Sequence, residues 1–221
     1  MDQLSKFTGY AEAQSNFSKR ALWDLFDGDR EQLNISHECV DRHEPDRVAV
    51  RIAHANGGME SLTFGELSAS SNQFANWLQA QGVQKGDRIA IMLDPSDLFY
   101  IALFGSMKMG AVAVPLFTLF GPDGLHLRLK DCTPRILITT PDLAQILNPS
   151  SKTVVHLANQ DFLKQVEVQS FEFTPNTSAD DLAMYQYTSG TTRELPEAVK
   201  HRHRAIVTVM IAALYATGIR P

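Results

Sequence analysis

Short apolar runs alternate with longer amphipathic segments along most of this chain, and no other feature restricts its fold as strongly. A strand that is apolar on both faces must be covered on both faces, so the alternation predicts a largely parallel sheet with helices on each side. We therefore expect an α/β fold. The predicted strands are Arg88–Leu93, Ala111–Leu116, Ile136–Thr139, Thr153–Leu157 and Leu182–Tyr187.

Capping signals mark the start of two predicted helices. Thr63 is followed by Glu66 at the spacing of a capping box, and apolar residues then recur on one face up to Gly82. Ser96 is expected to cap a second helix, which ends near Gly110. Further helices are predicted at Pro122–Asp131, at Asp142–Leu147, after the strand Thr153–Leu157, and at about His203–Thr217.

The amino-terminal residues differ in character from the rest of the chain. Residues 1 to about 30 are polar with scattered aromatic side chains, a pattern typical of an arm that packs over a larger body. Val48–Ala53 and Ser61–Phe64 flank a glycine turn, which predicts a β-hairpin. We therefore divide the chain into an amino-terminal arm, residues 1–45, and an α/β domain, residues 46–221.

Charge and hydropathy exclude several classes of function. The 20 basic and 25 acidic residues give a net charge of −5 and are spread without long like-charge blocks, which argues against a nucleic-acid surface. Lys108 and Pro115 interrupt the most apolar stretch, Ile101–Phe120, so this stretch is interpreted as buried elements rather than a transmembrane helix. Ala205–Ile219 is too short to span a bilayer comfortably.

The amino terminus and the cysteines favour a cytoplasmic protein. The first residues have neither an apolar signal core nor an excess of arginine. Cys39 and Cys132 are far apart with no CxxC spacing, which is typical of reduced thiols.

A hydroxyl-rich segment follows the strand predicted at Leu182–Tyr187. It consists of Thr188, Ser189, Gly190, Thr191 and Thr192. A glycine lets successive backbone N–H groups turn toward one point, and the hydroxyls add short donors, as in a loop that cradles a polyanion. An ordinary polar turn has a similar composition, and this segment alone does not separate the two interpretations.

Together with other segments, the loop resembles the phosphate-binding signature of the adenylate-forming (AMP-binding) superfamily of acyl-CoA synthetases, luciferases and nonribosomal adenylation domains. Tyr187–Thr192 matches the start of the pattern Tyr/Phe-Thr-Ser-Gly-Ser/Thr-Thr-Gly-x-Pro-Lys-Gly-Val. Other segments that look like this family, in the same order, are Leu62–Leu67, Lys85–Ile91 and Lys108–Leu116. Asn34–Ser36 and Cys39–His43 are similar to the region before the main domain in acetyl- and medium-chain acyl-CoA synthetases.

The resemblance implies an ATP-dependent carboxylate–CoA ligase that forms an acyl-adenylate and then an acyl-CoA thioester. ATP, Mg²⁺ and coenzyme A are the implied cofactors, and a small carboxylic acid is the implied substrate. The resemblance assigns Thr188, Ser189, Gly190, Thr191 and Thr192 to the phosphate loop.

The length of this chain, compared with that of the family it resembles, indicates how much of an enzyme it contains. Enzymes of the family usually run past twice 221 residues, so we expect an amino-terminal fragment. The family's magnesium-binding acidic residue and carboxy-terminal lysine come later, so no residue here is assigned a catalytic role. The isolated fragment is expected to be inactive, to expose apolar patches and to self-associate, with a homo-oligomer as one outcome.

The chain departs from the family pattern directly after the loop. Arg193 stands where glycine is usual, and Glu197 follows Pro196 where lysine is expected. Arg193 is therefore assigned to the phosphate site as a replacement cation, since guanidinium matches phosphate geometry; a solvated loop charge is the alternative. The basic segment Lys200–Arg204 is interpreted as a solvated turn in preference to a contact with phosphate or the CoA nucleotide.

Two other classes of function were compared with the ligase. A phosphate-loop NTPase needs lysine and a hydroxyl residue after its glycines, but Gly105–Gly110 continues with Ala111 and Val112, so this class is excluded. A noncatalytic nucleotide-binding or interaction module with the same fold stays open, because the loop lysine is absent.

Overall fold

Strands and helices alternate along the chain from Arg88 to Glu167, as the apolar pattern predicts. The computed structural model describes residues 4–54, 56–147, 149–150, 152–187 and 197–217. The strands are β1 Val48–Ala53, β2 Met59–Thr63, β3 Arg88–Met92, β4 Val112–Pro115, β5 Ile136–Thr139, β6 Val154–Leu157, β7 Leu182–Gln186 and β8 Val199–Arg202. The α-helices are α1 Tyr10–Ser15, α2 Lys19–Trp23, α3 Phe64–Ala80, α4 Asp97–Met109, α5 Pro122–Cys132, α6 Pro141–Ala144, α7 Gln160–Glu167 and α8 Ala205–Ala212. Short helical turns cover Leu4–Lys6, His37–Asp41 and Ala213–Thr217.

Six of the strands form one sheet in the order β6-β5-β3-β4-β7-β8. The pairs from β6 to β7 are parallel, and β8 is antiparallel to β7. The predicted α/β class with a largely parallel sheet is confirmed. The interpretation of Lys200–Arg204 as a turn is wrong for Lys200, His201 and Arg202, which pair with β7 as part of β8, whereas His203 and Arg204 form a turn.

The two predicted helix starts are confirmed together with their capping contacts. The Thr63 hydroxyl accepts a hydrogen bond from the Glu66 N–H, while the Glu66 carboxylate accepts one from the Thr63 N–H, so the capping box is complete. Ser96 caps α4 by accepting from the Phe99 N–H. Gly110 ends α4 with φ 84°, a left-handed conformation that favours glycine.

Each face of the sheet has its own core. Helices α3, α4 and α7 cover one face, where Phe74, Trp77 and Phe162 are buried. Helix α5 covers the other face and buries Leu125 and Leu129 there. The helix predicted at Asp142–Leu147 is shorter than expected: it begins one position earlier, at Pro141, and ends at Ala144.

The predicted hairpin is confirmed as the antiparallel pair β1 and β2. The amino-terminal arm adds a third core, in which Leu22, Leu25 and Leu33 are buried with Val207 and Leu214 from the last helical segment. Across the described ranges, no helix is long and apolar enough to cross a membrane.

Buried polar contacts connect the end of the arm to the body of the fold. Asn34 Nδ2 donates to the Met107 carbonyl at 2.8 Å and to Thr177 Oγ1 at 3.0 Å. Ser36 Oγ donates to the Phe104 carbonyl at 2.7 Å. Residues 34–36 are therefore part of the packed body, while the boundary after residue 45 stays a prediction.

Candidate functional site

The direction in which successive strands are added to the sheet reverses at β3 and β4. The chain passes from β3 through α4 to β4 on one side, then returns through α5 to β5 on the opposite side of β3. The loops that leave the carboxyl ends of β3 and β4 therefore diverge and open a crevice. Open α/β sheets bind their ligands in such crevices.

A pocket of about 490 Å³ lies at this carboxyl edge. Its walls come from the segments that follow β3 and β4 and from the end of β7. The lining is mostly apolar and includes Leu93, Phe99, Leu116, Phe120 and Tyr187. A pocket with this lining can hold an apolar or aromatic group beside the phosphate loop predicted at Thr188–Thr192.

The rim of the pocket corrects one expectation from the sequence. Ile101–Phe120 was interpreted as buried elements, but Phe117 is 66% exposed and Leu119 is 84% exposed. Thr118, between them, donates from Oγ1 to Asp94 Oδ1 at 2.6 Å and so links the loops after β3 and β4. The apolar rim could not be recognised from the sequence, because its residues continue the apolar pattern of β4.

The predicted phosphate-site residues Thr188, Ser189, Gly190, Thr191, Thr192 and Arg193 lie outside the described residues. Their assignment stays a prediction. Tyr187, which precedes Thr188 directly, lines the pocket. Glu197, which replaces the usual lysine, is exposed to solvent.

Tyr187 is held by helix α5, which lies much earlier in the sequence. Its hydroxyl donates to Asp131 Oδ2 at 2.6 Å and to the Arg128 carbonyl at 3.2 Å. The Arg128 guanidinium lies 3.7 Å from the centroid of the Phe120 ring and 5.6 Å from that of Tyr187. Burial and the hydrogen bond to Asp131 raise the pKa of Tyr187 far above its usual value, so the hydroxyl stays protonated as a donor.

The basic residues after the predicted loop are engaged in contacts within the fold. Lys200 Nζ lies 5.3 Å from the centroid of the Tyr185 ring, and Arg204 Nη1 lies 2.6 Å from Asp180 Oδ1. His203 is fully buried, and its Nδ1 accepts a hydrogen bond from the Ile35 N–H at 3.0 Å. The interpretation of this segment as solvated is therefore wrong for His203.

The environment of His203 keeps its imidazole neutral. Burial lowers its pKa to about 4, although the charge of Asp181 acts in the opposite direction. Lys85, at 2.9 Å from Asp181 Oδ2, adds a smaller contribution that also lowers the pKa of His203. His203 therefore acts as a structural acceptor at neutral pH.

The cysteines and acidic residues do not form a reactive or metal-binding centre in the part of the chain that the structure describes. Burial is the main cause that raises the pKa of each thiol, Cys39 and Cys132, to about 11. Residues 4–54, 56–147, 149–150, 152–187 and 197–217 contain no group of three or more His, Cys, Asp or Glu side chains that could hold a metal ion.

A second pocket, of about 250 Å³, lies between the arm and the Pro175–Thr177 segment. One of the three carboxylates that line it, that of Glu38, accepts hydrogen bonds from the Asp27 and Gly28 N–H groups and pairs with Arg42. The Asp27 carboxylate also pairs with Arg42, and that of Asp29 accepts from two backbone N–H groups. Because all three carboxylates have partners within the fold, we interpret this pocket as structural.

Comparisons with known proteins agree with this architecture. A family model described as AMP-binding enzyme matches residues 37–220. Acetyl-coenzyme A synthetase of Bacillus subtilis (strain 168) is 28% identical over 195 residues, which cover 80% of this chain and 34% of that protein. The crystal structure of an acyl-CoA synthetase from Brucella canis has a TM-score of 0.81 at 26% identity and covers 97% of this chain and 42% of that one.

A structure with a bound nucleotide is also similar. ATP-bound MatB from Rhodopseudomonas palustris has a TM-score of 0.66 at 25% identity and covers 82% of this chain and 37% of that one. The chain therefore spans less than half the length of each of these three proteins. The family model matches residues 37–220, and the fold is similar to that of a solved acyl-CoA synthetase. This chain therefore belongs to the family of AMP-binding enzymes.

Proposed function

We propose that the protein containing this chain is an ATP-dependent carboxylate–CoA ligase. It joins a small carboxylic acid to AMP and then transfers the acyl group to the thiol of coenzyme A. Similarity to an acetyl-coenzyme A synthetase and an acyl-CoA synthetase supports this proposal, and the ATP-bound MatB structure supports ATP as the nucleotide.

One observation carries the proposal within this chain. The hydroxyl segment Thr188–Thr192 begins one residue after Tyr187, and Tyr187 lines the pocket at the carboxyl edge of the sheet. A phosphate loop at this position would hold the triphosphate beside the crevice between β3 and β4, where ligands of open α/β sheets bind. The apolar pocket wall would exclude water from the neighbouring reaction centre.

The first step needs charge stabilisation rather than a nucleophilic side chain. A carboxylate oxygen of the substrate bonds to the α-phosphorus of ATP, and the bond from that phosphorus to the bridging oxygen of pyrophosphate breaks. Backbone and hydroxyl donors of Thr188–Thr192, with Arg193, would stabilise the charge that builds on the leaving pyrophosphate. Mg²⁺, when bound, supplies further charge neutralisation, but the described residues contain no cluster that fits it.

The second step transfers the acyl group. The sulfur of coenzyme A bonds to the acyl carbon, and the bond from that carbon to the phosphate oxygen breaks, so that AMP leaves. The CoA thiol loses its proton in this step, and the proton passes to solvent. Cys39 and Cys132 take no part, because burial raises the pKa of both thiols to about 11 and keeps them protonated. Reduced thiols also fit a cytoplasmic location, which we propose for the protein.

A noncatalytic nucleotide-binding module is the second candidate, and the specific observation that favours it is Glu197. This residue occupies the place where the family pattern has lysine. Glu197 is exposed, so solvent can screen the repulsion between its carboxylate and a triphosphate. ATP could therefore still bind nearby. A module of this kind would bind ATP without turnover.

Two measurements on the longest reading frame that contains these residues separate the candidates. Calorimetric titration with ATP and Mg²⁺ tests nucleotide binding, and acyl-CoA formation is then followed across short-chain, medium-chain and aromatic carboxylic acids. We expect ATP binding and thioester formation with at least one acid. ATP binding without any thioester would support the noncatalytic module, and absence of ATP binding would contradict both candidates. Residues 1–221 alone are expected to form no thioester.

A further inference from the structure

Arg128 carries a buried positive charge that forms no ion pair in the part of the chain that the structure describes. The residue is only 6% exposed. Its Nη1 donates to the Gly124 carbonyl at 2.8 Å, while its buried Nε has no hydrogen-bond partner within the described residues. Asp131, on the same helix, accepts from the Tyr187 hydroxyl instead. Because buried charges are normally paired, this guanidinium is a candidate for recognition of a ligand.

The guanidinium lies against two aromatic rings that belong to the pocket at the carboxyl edge of the sheet. Its Cζ is 3.7 Å from the ring centroid of Phe120 and 5.6 Å from that of Tyr187. Both residues line the pocket, together with Phe99 and Phe117. The ring centroids of Phe117 and Phe120 are 5.9 Å apart. The buried cation therefore acts on a pocket whose wall is largely aromatic.

The charges around this pocket are screened to different extents. Arg128 is buried, whereas Asp94, on the pocket rim, and Asp131 are exposed. Water and salt screen exposed charges far more strongly than buried ones. An aromatic lining alone would also suit an ammonium group, but the charge of Arg128 opposes a cation there. The pocket therefore favours a ligand with negative charge over a neutral or cationic one.

The lining also favours a planar ring over an aliphatic chain. Aromatic rings attract one another in edge-to-face or offset geometry beyond the effect of the area that they bury. Two of the rings are held before a ligand binds, Phe120 by the Arg128 cation and Tyr187 by its hydrogen bond of 2.6 Å to Asp131. Less conformational entropy is then lost on binding. The volume of about 490 Å³ leaves ample room for a ring.

We propose that this pocket binds an aromatic carboxylate, with Phe120 and Tyr187 packed against its ring and Arg128 as the residue that selects its negative charge. This inference rests on the proposed function, for which it names aromatic carboxylic acids as the substrate class. Arg128 acts through space, across the aromatic wall. A weakly screened charge about 7 Å from the carboxylate is expected to change the affinity roughly tenfold.

The test uses calorimetric titration of the longest reading frame, without ATP, with three probes. Benzoate is the aromatic carboxylate, cyclohexanecarboxylate keeps the charge on a saturated ring, and benzamide keeps the aromatic ring without the charge. We expect wild type to bind benzoate about fivefold more tightly than cyclohexanecarboxylate. Benzoate should also bind about tenfold more tightly than benzamide. Equal affinities for benzoate and benzamide would overturn the inference.

Two variants separate the contribution of the charge from that of the ring. Arg128→Met removes the cation and keeps a long apolar side chain, so it should weaken benzoate about tenfold and leave benzamide within about twofold of wild type. Phe120→Leu should abolish most of the preference for benzoate over cyclohexanecarboxylate and retain the preference over benzamide. Arg51→Met makes the same change as Arg128→Met at an exposed position of β1 and should leave all three affinities unchanged.

The pattern across the probes distinguishes selection of charge from a merely structural role of Arg128. A structural role would weaken benzoate and benzamide equally in Arg128→Met, and that outcome would overturn the inference. Arg128→Lys keeps the charge and is expected to keep benzoate within roughly threefold of wild type. If Arg128→Met does not fold, the ratio of the wild-type affinities for benzoate and benzamide still decides the question.

Thioester formation separates this inference from the proposed function. A protein that forms thioesters but does not distinguish benzoate from benzamide would overturn the aromatic-carboxylate site and leave the ligase proposal intact. Benzoate binding that depends on Arg128, without a thioester from any acid, would contradict the ligase proposal and support the site.

Discussion

The backbone N–H of Ile35 donates a hydrogen bond of 3.0 Å to Nδ1 of His203, a fully buried side chain 168 positions later in the sequence. This contact joins the end of the amino-terminal arm to the turn that leads into α8. Nδ1 can accept the bond only while it carries no proton. Acid should therefore weaken the attachment of the arm.

We expect the protein to lose stability as the pH falls from about 6.5 to about 4. The pKa of His203 is lowered from 6.5 to about 4 in the folded state, chiefly by burial. Below 6.5 the unfolded chain takes up a proton that the folded chain does not bind, so the free energy of unfolding falls until the pH reaches the folded pKa. The expected loss is about 3 kcal/mol, measured by urea unfolding at several pH values.

His203→Gln provides the matched variant for this effect. Its amide oxygen can accept from the Ile35 N–H but does not titrate, so the decline between pH 6.5 and pH 4 should become shallower than in wild type. His126→Gln changes an exposed histidine and should leave the decline unchanged. Equal slopes for wild type and His203→Gln would contradict the role of His203.

A second prediction concerns the buried Lys108. Its Nζ lies 2.6 Å from Asp41 Oδ1 and 2.7 Å from Asn72 Oδ1, and the side chain is fully buried. Burial lowers the pKa of Lys108, while the charge of Asp41 opposes this shift. Asp41→Ala should cost about 3 kcal/mol in the free energy of unfolding, because it leaves a buried cation without its counter-ion.

The double variant Asp41→Ala/Lys108→Met tests the cause of that cost. Removing the cation together with its partner should make the double variant more stable than Asp41→Ala alone, since methionine fills a similar volume without charge. Urea unfolding of the wild type, both single variants and the double variant completes the cycle. A double variant no more stable than Asp41→Ala would show that the loss comes from packing rather than from the unpaired charge.

A third prediction addresses the altered loop in the longest reading frame. If Arg193 replaces the cation that the family pattern carries near Glu197, Arg193→Ala should lower kcat/KM for ATP roughly ten- to hundredfold. Arg193→Lys should recover only part of this loss, because an ammonium group cannot reproduce the paired donors of guanidinium. Kinetics within about twofold of wild type would identify Arg193 as a solvated loop charge.

The sequence was sufficient to predict the parallel strands and the helices with clear signals. Strands β3 and β5 contain the unbroken apolar runs Ile89–Met92 and Ile136–Ile138 because both faces are covered. Ser96 and Gly110 mark the ends of α4 by chemistry that needs no tertiary context. Strand β8 was missed. Its sequence Val-Lys-His-Arg lies at the edge of the sheet and is mostly exposed, so it has no apolar pattern to recognise.

The polar contacts that surround the candidate site could not be predicted for a different reason. His203 lies in a run of basic residues, and its burial and its contact with Ile35, which both arise from tertiary packing, distinguish it from its neighbours. The bond between Tyr187 and Asp131 depends on where α5 crosses the sheet, which follows from strand order rather than from local sequence. The loop motif was recognisable because it is contiguous, whereas these contacts join distant segments.

ATP–pyrophosphate exchange is the most direct test of the central claim that this chain carries the phosphate loop of an adenylate-forming ligase. The longest reading frame that contains residues 1–221 is purified free of host ligases and incubated with ATP, Mg²⁺, labelled pyrophosphate and a panel of carboxylic acids. We predict exchange that depends on a carboxylic acid and falls when Thr188, Ser189 and Thr191 are replaced together by alanine. Exchange absent for every acid, or unaffected by the triple replacement, would contradict the claim.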